Sequence, residues 1–324
     1  MLDITTIEAA VAAIQRLAIR GAPALGAFGS LAIVVGLDEA TPESVEAALP
    51  LLETLRTTVG DARPTAVNLR WAVDRTIDHA LAAAPGTTTE LRQLLLDEAL
   101  AVGAEDAAAC AEIGRLGREL LSEAVNIGTH CNAGRLATAG IGTALAPMYA
   151  KAEAGEPVHA FAAETRPLLQ GARLTAWELH DAGIDVTVVS DGAMASTILS
   201  GAVDAFIVGA DRIAANGDVA NKIGTVAQAL AAHAAGIPFY VAAPTSTIDA
   251  SLASGVDIDI EQRDPDEVHN VGGTRLTPVG VSASNPAFDV TPHHLVTAII
   301  TEAGVLFAPF IDSISAALRP QEGN

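Results

Sequence analysis

The sequence predicts an α/β protein with two domains, a helical N-terminal domain over residues 1–120 and a parallel-sheet domain over residues 121–324. Two observations predict this fold class. In the first domain the apolar residues recur at helical spacing, whereas in the second, short apolar runs alternate with helical segments. Strands that alternate with helices in this way are typical of βαβ units, which form a parallel sheet.

The helical domain begins with TTIEAAVAAIQRLAIRG, which has a Thr/Glu start signal and stops at Gly21. Two further helical patterns follow, and residues 87–124 predict a long helix with a break. The stretch from Gly21 to Leu37 is uncharged, but it contains a proline and four glycines. We therefore expect a buried loop and helix there, and not a membrane span.

The parallel sheet is predicted from five apolar runs, AVNIGTH, HAFAAE, DVTVVSD, AFIVGAD and PFYVAA. Parallel strands direct their C-terminal ends to one edge of the sheet, and ligands of such folds bind beyond that edge. After the first run the chain is small and glycine-rich from Cys131 onward, which predicts that a helix opens at this cysteine.

The charge of the chain restricts its partners. Acidic residues outnumber basic ones 39 to 18, which gives a formal net charge of −21. So acidic a surface repels nucleic acid and anionic membranes, and we expect neither as a partner. Salt screens the repulsion between the acidic side chains of one chain. We therefore interpret the charge as adaptation to high internal salt in a halophile, which we expect to be an archaeon. We expect a soluble, cytoplasmic protein, since no basic segment precedes an apolar one at the N-terminus.

The cysteines and histidines predict neither a disulfide framework nor a metal site. The sequence has two cysteines, Cys110 and Cys131, and its histidines lack metal-ligand spacing, so we expect no metal. Cys110 lies in an alanine-rich helix and is interpreted as core. Gly140 and Gly142 are too weak a pair for a dinucleotide fingerprint, so we expect no NAD and no other cofactor.

The polar residues that follow the strands form the candidate site. Cys131 and Asn132 follow the first run, and Asp211 ends the fourth. Other candidates at this edge are Glu164, Arg166, Gln170, Asp191, Asn221, Lys222 and Thr245. Because a thiol, a carboxylate, an amide and two cations coincide on one edge, we hypothesise a site that handles protons.

These candidates also have purely structural interpretations. Asp191 and Thr245 could be helix N-caps. Arg166 could pair with Glu164 or with a carbonyl group, and Asn216-Gly217-Asp218 has the composition of a turn. A single cysteine at a strand end is more often core than catalyst. It is the coincidence of several such groups, and not any one of them, that favours the functional interpretation.

Two loops of the helical domain predict phosphate binding. In Arg20-Gly21-Ala22 and in Arg63-Pro64-Thr65 a cation stands just ahead of a helix start. Free backbone N–H groups at a helix start bind phosphate, and arginine adds a planar set of donors. Together with Lys222, these loops could hold a sugar phosphate.

At this point the motifs identify a family. RGAPALG, ARPTAVNLRWAVDR, THCNAGRLATAGIGTAL, ETRPLLQGARLTAWEL, VGADRIAANGDVANKIGT and NPAFDVTP closely resemble the methylthioribose-1-phosphate isomerases. The wider group includes ribose-1,5-bisphosphate isomerases and regulatory subunits of initiation factor 2B. The resemblance implies a helical domain on a Rossmann-like domain, a homodimer, and isomerisation of 5-methylthioribose 1-phosphate to 5-methylthioribulose 1-phosphate in methionine salvage.

The resemblance also implies roles for particular residues. It makes Cys131 and Asp211 catalytic. The substrate-binding positions that it implies are Arg20, Gly21, Ala22, Arg63, Gln170, Asn221 and Lys222. Because the anomeric oxygen bears phosphate, a group such as a neutral Asp211 must protonate the ring oxygen. Hydrogen then moves from C2 to C1, either as a proton with Cys131 as base or as a hydride in a dry site that Cys131 helps to shape.

Two departures from the family pattern keep alternatives open. The family normally has a further N-terminal segment, whereas here the match starts almost at Met1, and Arg135 replaces an expected small residue. Arg135 could contact a second anionic group, as an isomerase of ribose 1,5-bisphosphate would require. 5-Deoxyribose 1-phosphate is another alternative substrate. The alternative of another class is a non-catalytic regulatory subunit, against which the Cys131 and Asp211 pair argues.

Overall fold

The structure is a computed structural model that describes residues 3–63 and 67–319. It consists of two compact units. The first, called the helical unit here, comprises Met1–Ala109 and Arg135–Gly140. The second, called the sheet unit, comprises Cys110–Gly134 and Ile141–Asn324. Each unit has its own core of buried apolar side chains.

The N-terminal part of the chain is helical, as predicted. Its helices are α1 (Ile7–Gln15), α2 (Ala22–Ala40), α3 (Val45–Gly60), α4 (Val67–Ala82) and α5 (Thr88–Leu120). The predicted break in the last of these is wrong, because α5 is continuous over 33 residues. A glycine such as Gly103 weakens a helix by about 1 kcal/mol. The complete burial of Leu91, Leu95 and Ile113 along α5 offsets that cost.

Helix α2 contains the uncharged stretch of the sequence. Among the described residues it is the one helix that is long and apolar enough to cross a membrane, yet more than half of it is buried. Leu25, Ile33 and Leu37 pack into the core of the helical unit. At Gly29 a Cβ atom would lie 2.5 Å from the Leu69 side chain, so glycine permits the close approach of α2 to α4. The prediction of a buried helix is confirmed.

The sheet unit alternates strands and helices. Its strands are β1 (Asn126–Thr129), β2 (His159–Ala163), β3 (Asp185–Val189), β4 (Ala205–Val208), β5 (Arg212–Ala214), β6 (Val219–Lys222), β7 (Phe239–Ala242), β8 (Ile248–Asp249), β9 (Asn270–Val271), β10 (Thr274–Arg275), β11 (Phe288–Thr291), β12 (Ala298–Thr301) and β13 (Gly304–Leu306). Its helices after α5 are α6 (Ala146–Glu153), α7 (Ala176–Asp181), α8 (Asp191–Leu199), α9 (Thr225–Ala235), α10 (Asp266–His269) and α11 (Phe310–Ala317).

The main sheet contains seven of the described strands, in the order β13-β12-β7-β4-β1-β2-β3. All neighbours are parallel except β12 and β13. The five predicted strands are β1, β2, β3, β4 and β7, so the predicted parallel sheet is confirmed. Ile127, Phe206 and Ile207 of the two central strands are fully buried, as expected for a parallel sheet covered on both faces.

The strand order reverses between β1 and β4. From β1 the chain adds β2 and β3 on one side of the sheet, and it then returns to add β4, β7 and β12 on the other. In open α/β sheets, ligands bind in the crevice beyond the carboxyl ends of the strands at such a switch point. Cys131 follows β1 and Asp211 follows β4, so the two residues flank this position.

A second, smaller sheet has the order β11-β6-β5-β8 and was not predicted. Strands β5 and β6 form a hairpin through Asn216-Gly217, and Gly217 has a φ of 87° that glycine adopts readily. The predicted turn at Asn216-Gly217-Asp218 is thus confirmed. Strands of two to four residues are too short for an alternating pattern to indicate them. This hairpin positions Asn221 and Lys222.

Lys151, one of the two lysines of the chain, is a structural residue. Its side chain is 1% exposed. Its ammonium group donates to the carbonyl oxygens of Leu121 at 2.9 Å and Ser122 at 3.3 Å, just beyond the C-terminal end of α5. Glu156 lies 3.4 Å from it. A cation at a helix C-terminus satisfies carbonyl groups that have no partner within the helix.

Two glycine-to-alanine substitutions should change stability in opposite directions. At Gly128 in β1, an added Cβ atom would lie 2.3 Å from the buried ring of Phe206, so Gly128→Ala should lower the free energy of unfolding by about 1–3 kcal/mol. At Gly103 in α5 an added Cβ atom faces open space among the described residues. Gly103→Ala should therefore raise the free energy of unfolding by about 0.5–1 kcal/mol. Urea unfolding at fixed high salt measures the free energy of unfolding of both variants. A Gly128→Ala protein as stable as the parent would contradict the packing of β1 on β4.

Candidate active site

Cys131 lies two residues beyond β1 in a left-handed backbone conformation, with a φ of 67°. Two threonine hydroxyl groups hold it there. The Cys131 N–H donates to Thr165 Oγ1 at 2.9 Å, and Thr175 Oγ1 donates to the Cys131 carbonyl oxygen at 2.7 Å. Both threonines are fully buried. The conformation costs a residue with a side chain about 1–3 kcal/mol, which these buried hydrogen bonds oppose.

The prediction that Cys131 opens a helix is wrong. From Cys131 to Leu145 the chain is irregular apart from one 3-10 turn at Arg135–Ala137, and α6 begins at Ala146. The left-handed conformations of Cys131 and Gly142 are incompatible with a right-handed helix. Consequently no helix dipole acts on the thiol from its own segment.

The Cys131 thiol lies beside an amide. Gln170 Nε2 is 3.4 Å from Cys131 Sγ, and both side chains are nearly buried. Gln170 directly precedes one turn of π-helix, Gly171–Thr175. Such turns occur frequently at functional sites. Since Thr175 ends this turn, one short segment supplies both the amide at the thiol and the hydroxyl at the Cys131 carbonyl.

Asp211 lies after β4 and is partly exposed. Its N–H donates to the carbonyl oxygen of Ala220 at 2.9 Å. Arg212 pairs with Ala220 in the β5–β6 hairpin, and continuing this register by one residue brings Asp211 opposite Asn221. Strand β4 behind Asp211 is fully buried, as the sequence predicted. The structure therefore brings a predicted catalytic residue and a predicted substrate-binding residue together.

Asn221 and Lys222 lie at the end of β6. Asn221 Nδ2 donates to Thr225 Oγ1 at 3.0 Å, which fixes the orientation of its amide. Lys222 pairs in register with Phe288 of β11, and its ammonium group lies 4.4 Å from the centre of the Phe288 ring. An aromatic face at this distance attracts a cation and orients the lysine side chain.

A small cleft, partly open to solvent, lies next to these groups. It is lined by Pro167, Leu168, Gln170, Lys222, Ile223, Arg263, Glu267, Asn285, Pro286 and Ala287. Gln170 thus faces this space and also contacts the Cys131 thiol. Two of the predicted site residues of the sheet unit, Gln170 and Lys222, therefore line one cleft, and Gln170 links it to the Cys131 thiol.

The other polar residues at the strand ends have structural roles. The Asp191 carboxylate accepts the backbone N–H groups of Thr165 and Arg166 at 2.9 and 2.6 Å, so it holds the loop after β2 and is not an N-cap. Arg166 donates to two carbonyl oxygens, those of Pro167 and Val268, which was one of its two expected pairings.

Thr245 and His293 are likewise engaged elsewhere. Thr245 donates its N–H and hydroxyl groups to Glu302, and the N-cap of its short 3-10 turn is Pro244. His293 donates to Asp218 through both its backbone N–H and Nδ1, each at 2.8 Å. Within residues 3–63 and 67–319, no cluster of three His, Cys, Asp or Glu side chains could hold a metal ion.

The predicted phosphate-binding residues of the helical unit lie at helix starts. Arg20 precedes Gly21, the N-cap of α2, whose φ of 88° favours glycine. A Cβ atom on Gly21 would lie 2.3 Å from the carbonyl oxygen of Ala137, so only glycine fits. Ala22 is the first residue of α2. Arg135 lies in the same unit and is exposed.

Arg63 lies in the loop that follows α3. Pro64 and Thr65, which complete its predicted phosphate-binding motif, are outside the described residues, and α4 begins at Val67. The role of Arg63 in phosphate binding therefore stays a prediction.

The roles of the two threonines that hold Cys131, and of Glu178 below them, were not predicted. Thr165, Thr175 and Glu178 occur within ETRPLLQGARLTAWEL, but they act on residues 34–46 positions earlier in the chain. No local spacing signals such contacts. The overlap of this segment with a family motif was the one available sign of their importance.

His130 links the two sides of the site. Its Nε2–H donates to the carbonyl oxygen of Ile223 at 2.8 Å, which joins the residue before Cys131 to the residue after Lys222. Burial lowers the pKa of His130, although its bond to Ile223 and the charge of Asp191 oppose this effect. A neutral imidazole suits this bond. Its Nε2 carries the proton that it donates, and its Nδ1 then carries none and needs no charged partner.

Two aspartates that brace the small sheet have pKa values displaced in opposite directions. Burial raises the pKa of Asp289 to about 6, against the N–H groups of Gly224, Val226 and Thr225. At Asp218, burial also acts to raise the pKa, but hydrogen bonds from Asn216, Gly255 and His293 outweigh it and lower the value to about 2. The difference arises because burial outweighs the hydrogen bonds at Asp289, whereas the hydrogen bonds outweigh burial at Asp218.

Comparison with known proteins identifies the family. Residues 18–308 match the initiation factor 2 subunit family. The chain belongs to this family. It is 50% identical over 303 residues to the methylthioribose-1-phosphate isomerase of Desulforamulus reducens, covering 94% of this chain and 88% of that protein. It is also 50% identical over 313 residues to the 5-deoxyribose 1-phosphate isomerase of Moorella thermoacetica, covering 97% and 89%.

A solved structure of the family has the same fold. The crystal structure of 5-methylthioribose 1-phosphate isomerase from Pyrococcus horikoshii OT3 superposes with a TM-score of 0.88 at 42% identity, over 96% of this chain and 87% of that one. The family resemblance inferred from the motifs and the predicted fold class are both confirmed.

Replacing Asp218 or Asp289 by asparagine should reveal opposite pH dependences of stability. The lowered pKa of Asp218 means that its ionised form stabilises the fold above about pH 4, and that this contribution is lost as pH falls toward 2. The difference in Tm between the parent and Asp218→Asn should therefore shrink below pH 4. The raised pKa of Asp289 has the opposite effect. The protonated form of Asp289 stabilises the fold below about pH 4, and this stabilisation is lost as pH rises through 6.

The Tm of the parent minus the Tm of Asp289→Asn should accordingly decrease as the pH rises from 4 to 7. Differential scanning calorimetry at fixed salt measures both series, and Asp181→Asn at an exposed position of α7 is the control. The same pH slope in both variants would contradict the assignment.

Proposed function

We propose that this protein is an aldose–ketose isomerase that converts 5-methylthioribose 1-phosphate to 5-methylthioribulose 1-phosphate in methionine salvage. The relatives above are named as isomerases of ribose 1-phosphates that differ at C5. Within this chain, one observation supports the proposal most. Cys131 and Asp211 follow β1 and β4, the two strands at the switch point where ligands of such sheets bind.

The proposed reaction gives each of these residues a role. The phosphate on the anomeric oxygen prevents the ring from opening as in a free aldose. Asp211 protonates the ring oxygen as its bond to C1 breaks, and Cys131, as the thiolate, takes the C2 proton to leave an enol. Cys131 then delivers that proton to C1 while the C2 hydroxyl group loses its own proton and becomes the ketone, and this last proton restores the acid form of Asp211. Gln170, with its amide 3.4 Å from Cys131 Sγ, orients the thiol.

Phosphate binding is assigned to the helix start of α2 and to cations. Gly21 and Ala22 offer backbone N–H groups at the positive end of a helix, with Arg20 beside them. Arg63 and Lys222 add charge, and the fork of an arginine matches phosphate oxygens. In a chain with a net charge of −21, cations at the binding residues offset the repulsion that the acidic surface exerts on an anion.

The cleft favours a substrate with one phosphate. Arg263 lines it but donates to Glu261 at 2.9 Å and to Glu267 at 2.9 Å, so two carboxylates already surround its charge. They would repel a second phosphate. Leu168 and Ile223 line the same space and suit an uncharged methylthio group. These contacts argue against ribose 1,5-bisphosphate as the substrate.

The second candidate substrate is 5-deoxyribose 1-phosphate, because the relative from Moorella thermoacetica is named for it. Its C5 differs from that of the methylthio sugar only by hydrogen in place of the methylthio group, so the same residues would act on it. A non-catalytic regulatory role, which the name of the family suggests, would give Cys131 and Asp211 no task.

The proposal includes a homodimer in the cytoplasm. Trp177 on α7, Val188 on edge strand β3 and Leu199 on α8 are each about half exposed. Large apolar side chains of this kind are often covered by a second subunit. Light scattering at high salt measures the mass, and a monomer at micromolar concentration would contradict this part of the proposal.

Cys131→Ser and Asp211→Asn should each lower kcat by a factor of about 10²–10⁴, since each removes a proton-transfer group. Purified protein in molar KCl would be offered 5-methylthioribose 1-phosphate, 5-deoxyribose 1-phosphate and ribose 1,5-bisphosphate, with ketose formation as the readout. Asp181→Asn is the matched control for loss of a carboxylate. Absence of turnover of every substrate by folded protein would exclude the enzyme, and preference for the bisphosphate would exclude the assigned substrate.

Lys222→Met should raise KM by a factor of about 10–100, as expected from the loss of a charge-assisted hydrogen bond worth about 1.5–3 kcal/mol. Arg275→Met, at an exposed position of β10, is the control for loss of a cation. Initial rates over a range of substrate concentrations measure both. An unchanged KM for Lys222→Met would remove Lys222 from the binding site.

A further inference from the structure

We propose that Glu178 is a positioning residue that fixes the Cys131 thiol through Asn132 and Thr175. The inference rests on the function proposed above, because it concerns the geometry of the proposed catalytic base. Glu178 lies on α7, is 3% exposed, and has no assigned role in binding or catalysis. A carboxylate is costly to bury, so its place beneath the Cys131 loop calls for a reason.

The carboxylate of Glu178 receives two donors. Asn132 Nδ2 donates to Oε1 in a short hydrogen bond, and the Tyr149 hydroxyl donates to Oε2 at 3.0 Å. All three side chains are buried. An ionised carboxylate is acceptor-only, so it matches a donor at each of its two oxygens.

From Glu178 a chain of directed hydrogen bonds reaches Cys131. Asn132, held by Glu178, also donates from Nδ2 to Thr175 Oγ1 at 3.2 Å. Because the threonine oxygen accepts there, its own proton is available for the Cys131 carbonyl, to which it donates at 2.7 Å. Hydrogen bonds in series strengthen one another.

The packing of the loop adds a second constraint. At Gly134 a Cβ atom would lie 2.4 Å from the Glu178 carboxylate, so the backbone three residues after Cys131 lies directly against it. Cys131 itself holds a left-handed conformation that does not persist without support. Glu178 therefore fixes the side-chain amide of Asn132, the residue after Cys131. Through Asn132 and Thr175 it also fixes the Cys131 carbonyl group.

Substitutions at Glu178 distinguish positioning by hydrogen bonds from other effects. Glutamine keeps the shape, because its Oε1 can accept from Asn132 while its Nε2 donates to the Tyr149 oxygen. Aspartate keeps the charge but shortens the reach to Asn132, and alanine removes the acceptor. Tyr149→Phe is the control, since it removes the other donor and leaves the bond to Asn132.

The experiment measures two quantities in a Cys110→Ser background, which leaves Cys131 as the one cysteine of the chain. The first is the rate at which iodoacetamide alkylates Cys131 in the folded protein, which needs no substrate. The second is kcat and KM for 5-methylthioribose 1-phosphate. Far-UV circular dichroism and a urea transition check that each variant is folded.

We expect Glu178→Asp and Glu178→Ala to lower kcat by a factor on the order of 10–100 with little change in KM, since a misplaced catalytic group costs about that much. Alkylation of Cys131 should change by about fivefold or more, and Glu178→Gln and Tyr149→Phe should stay close to the parent in both measurements. If Glu178→Ala does not fold, Glu178→Asp alone decides.

Parent-like alkylation and kcat in Glu178→Asp would overturn the inference. So would a loss in Glu178→Gln as large as in Glu178→Asp, because the hydrogen bonds that glutamine keeps would then not be sufficient to position the thiol. Should the parent turn over no sugar phosphate, the function proposed above fails, while altered alkylation in the variants would still support positioning of Cys131 by Glu178.

Discussion

The left-handed turn at Cys131 is the constraint on which the rest of the site depends. It brings the thiol out of the central strand β1 and toward Gln170, and it persists because two buried threonine hydroxyls bind the backbone on either side of the residue. Thr165 is itself fixed by the carboxylate of Asp191, whereas Thr175 is brought in by a π-helical turn. The loops that follow β2 and β3, the two strands on one side of β1, thus together hold one unfavourable backbone conformation.

The other side of the site is built from the small sheet. Strand β6 orients Asn221 and Lys222, and its neighbour β11 supplies Phe288 beneath the lysine and Asp289 beside the following helix. The hydrogen bond from His130 to Ile223 joins this side to the Cys131 loop. Burial keeps that histidine neutral by lowering its pKa, so the link does not depend on a charge. The proposed acid and base thus lie on separately braced segments.

The sequence was sufficient for the fold class because the parallel strands are short apolar runs that alternate with segments of helical period. It also placed Cys131 and Asp211 after neighbouring strands at one edge of the main sheet, but it was wrong to place Lys222 at that edge, because Lys222 ends β6 of the small sheet. It failed at Cys131 itself, where a small, glycine-rich segment was interpreted as a helix start. The backbone there is determined by hydroxyl groups far along the chain. For the same reason Thr165, Thr175 and Glu178 could not be found from local spacing.

The distribution of the two lysines has a consequence for chemical labelling. Lys151 is enclosed at the end of α5, and both the carbonyl oxygens around it and its neighbour Glu156 hold its ammonium group. Lys222 lines an open cleft and is the other lysine of the chain. An amine-directed reagent used on the folded protein would therefore modify, apart from the chain's own α-amino group, chiefly a residue that lines the same cleft as Gln170. A fluorophore or cross-linker could thus be attached at this cleft with no cysteine chemistry and no engineered handle.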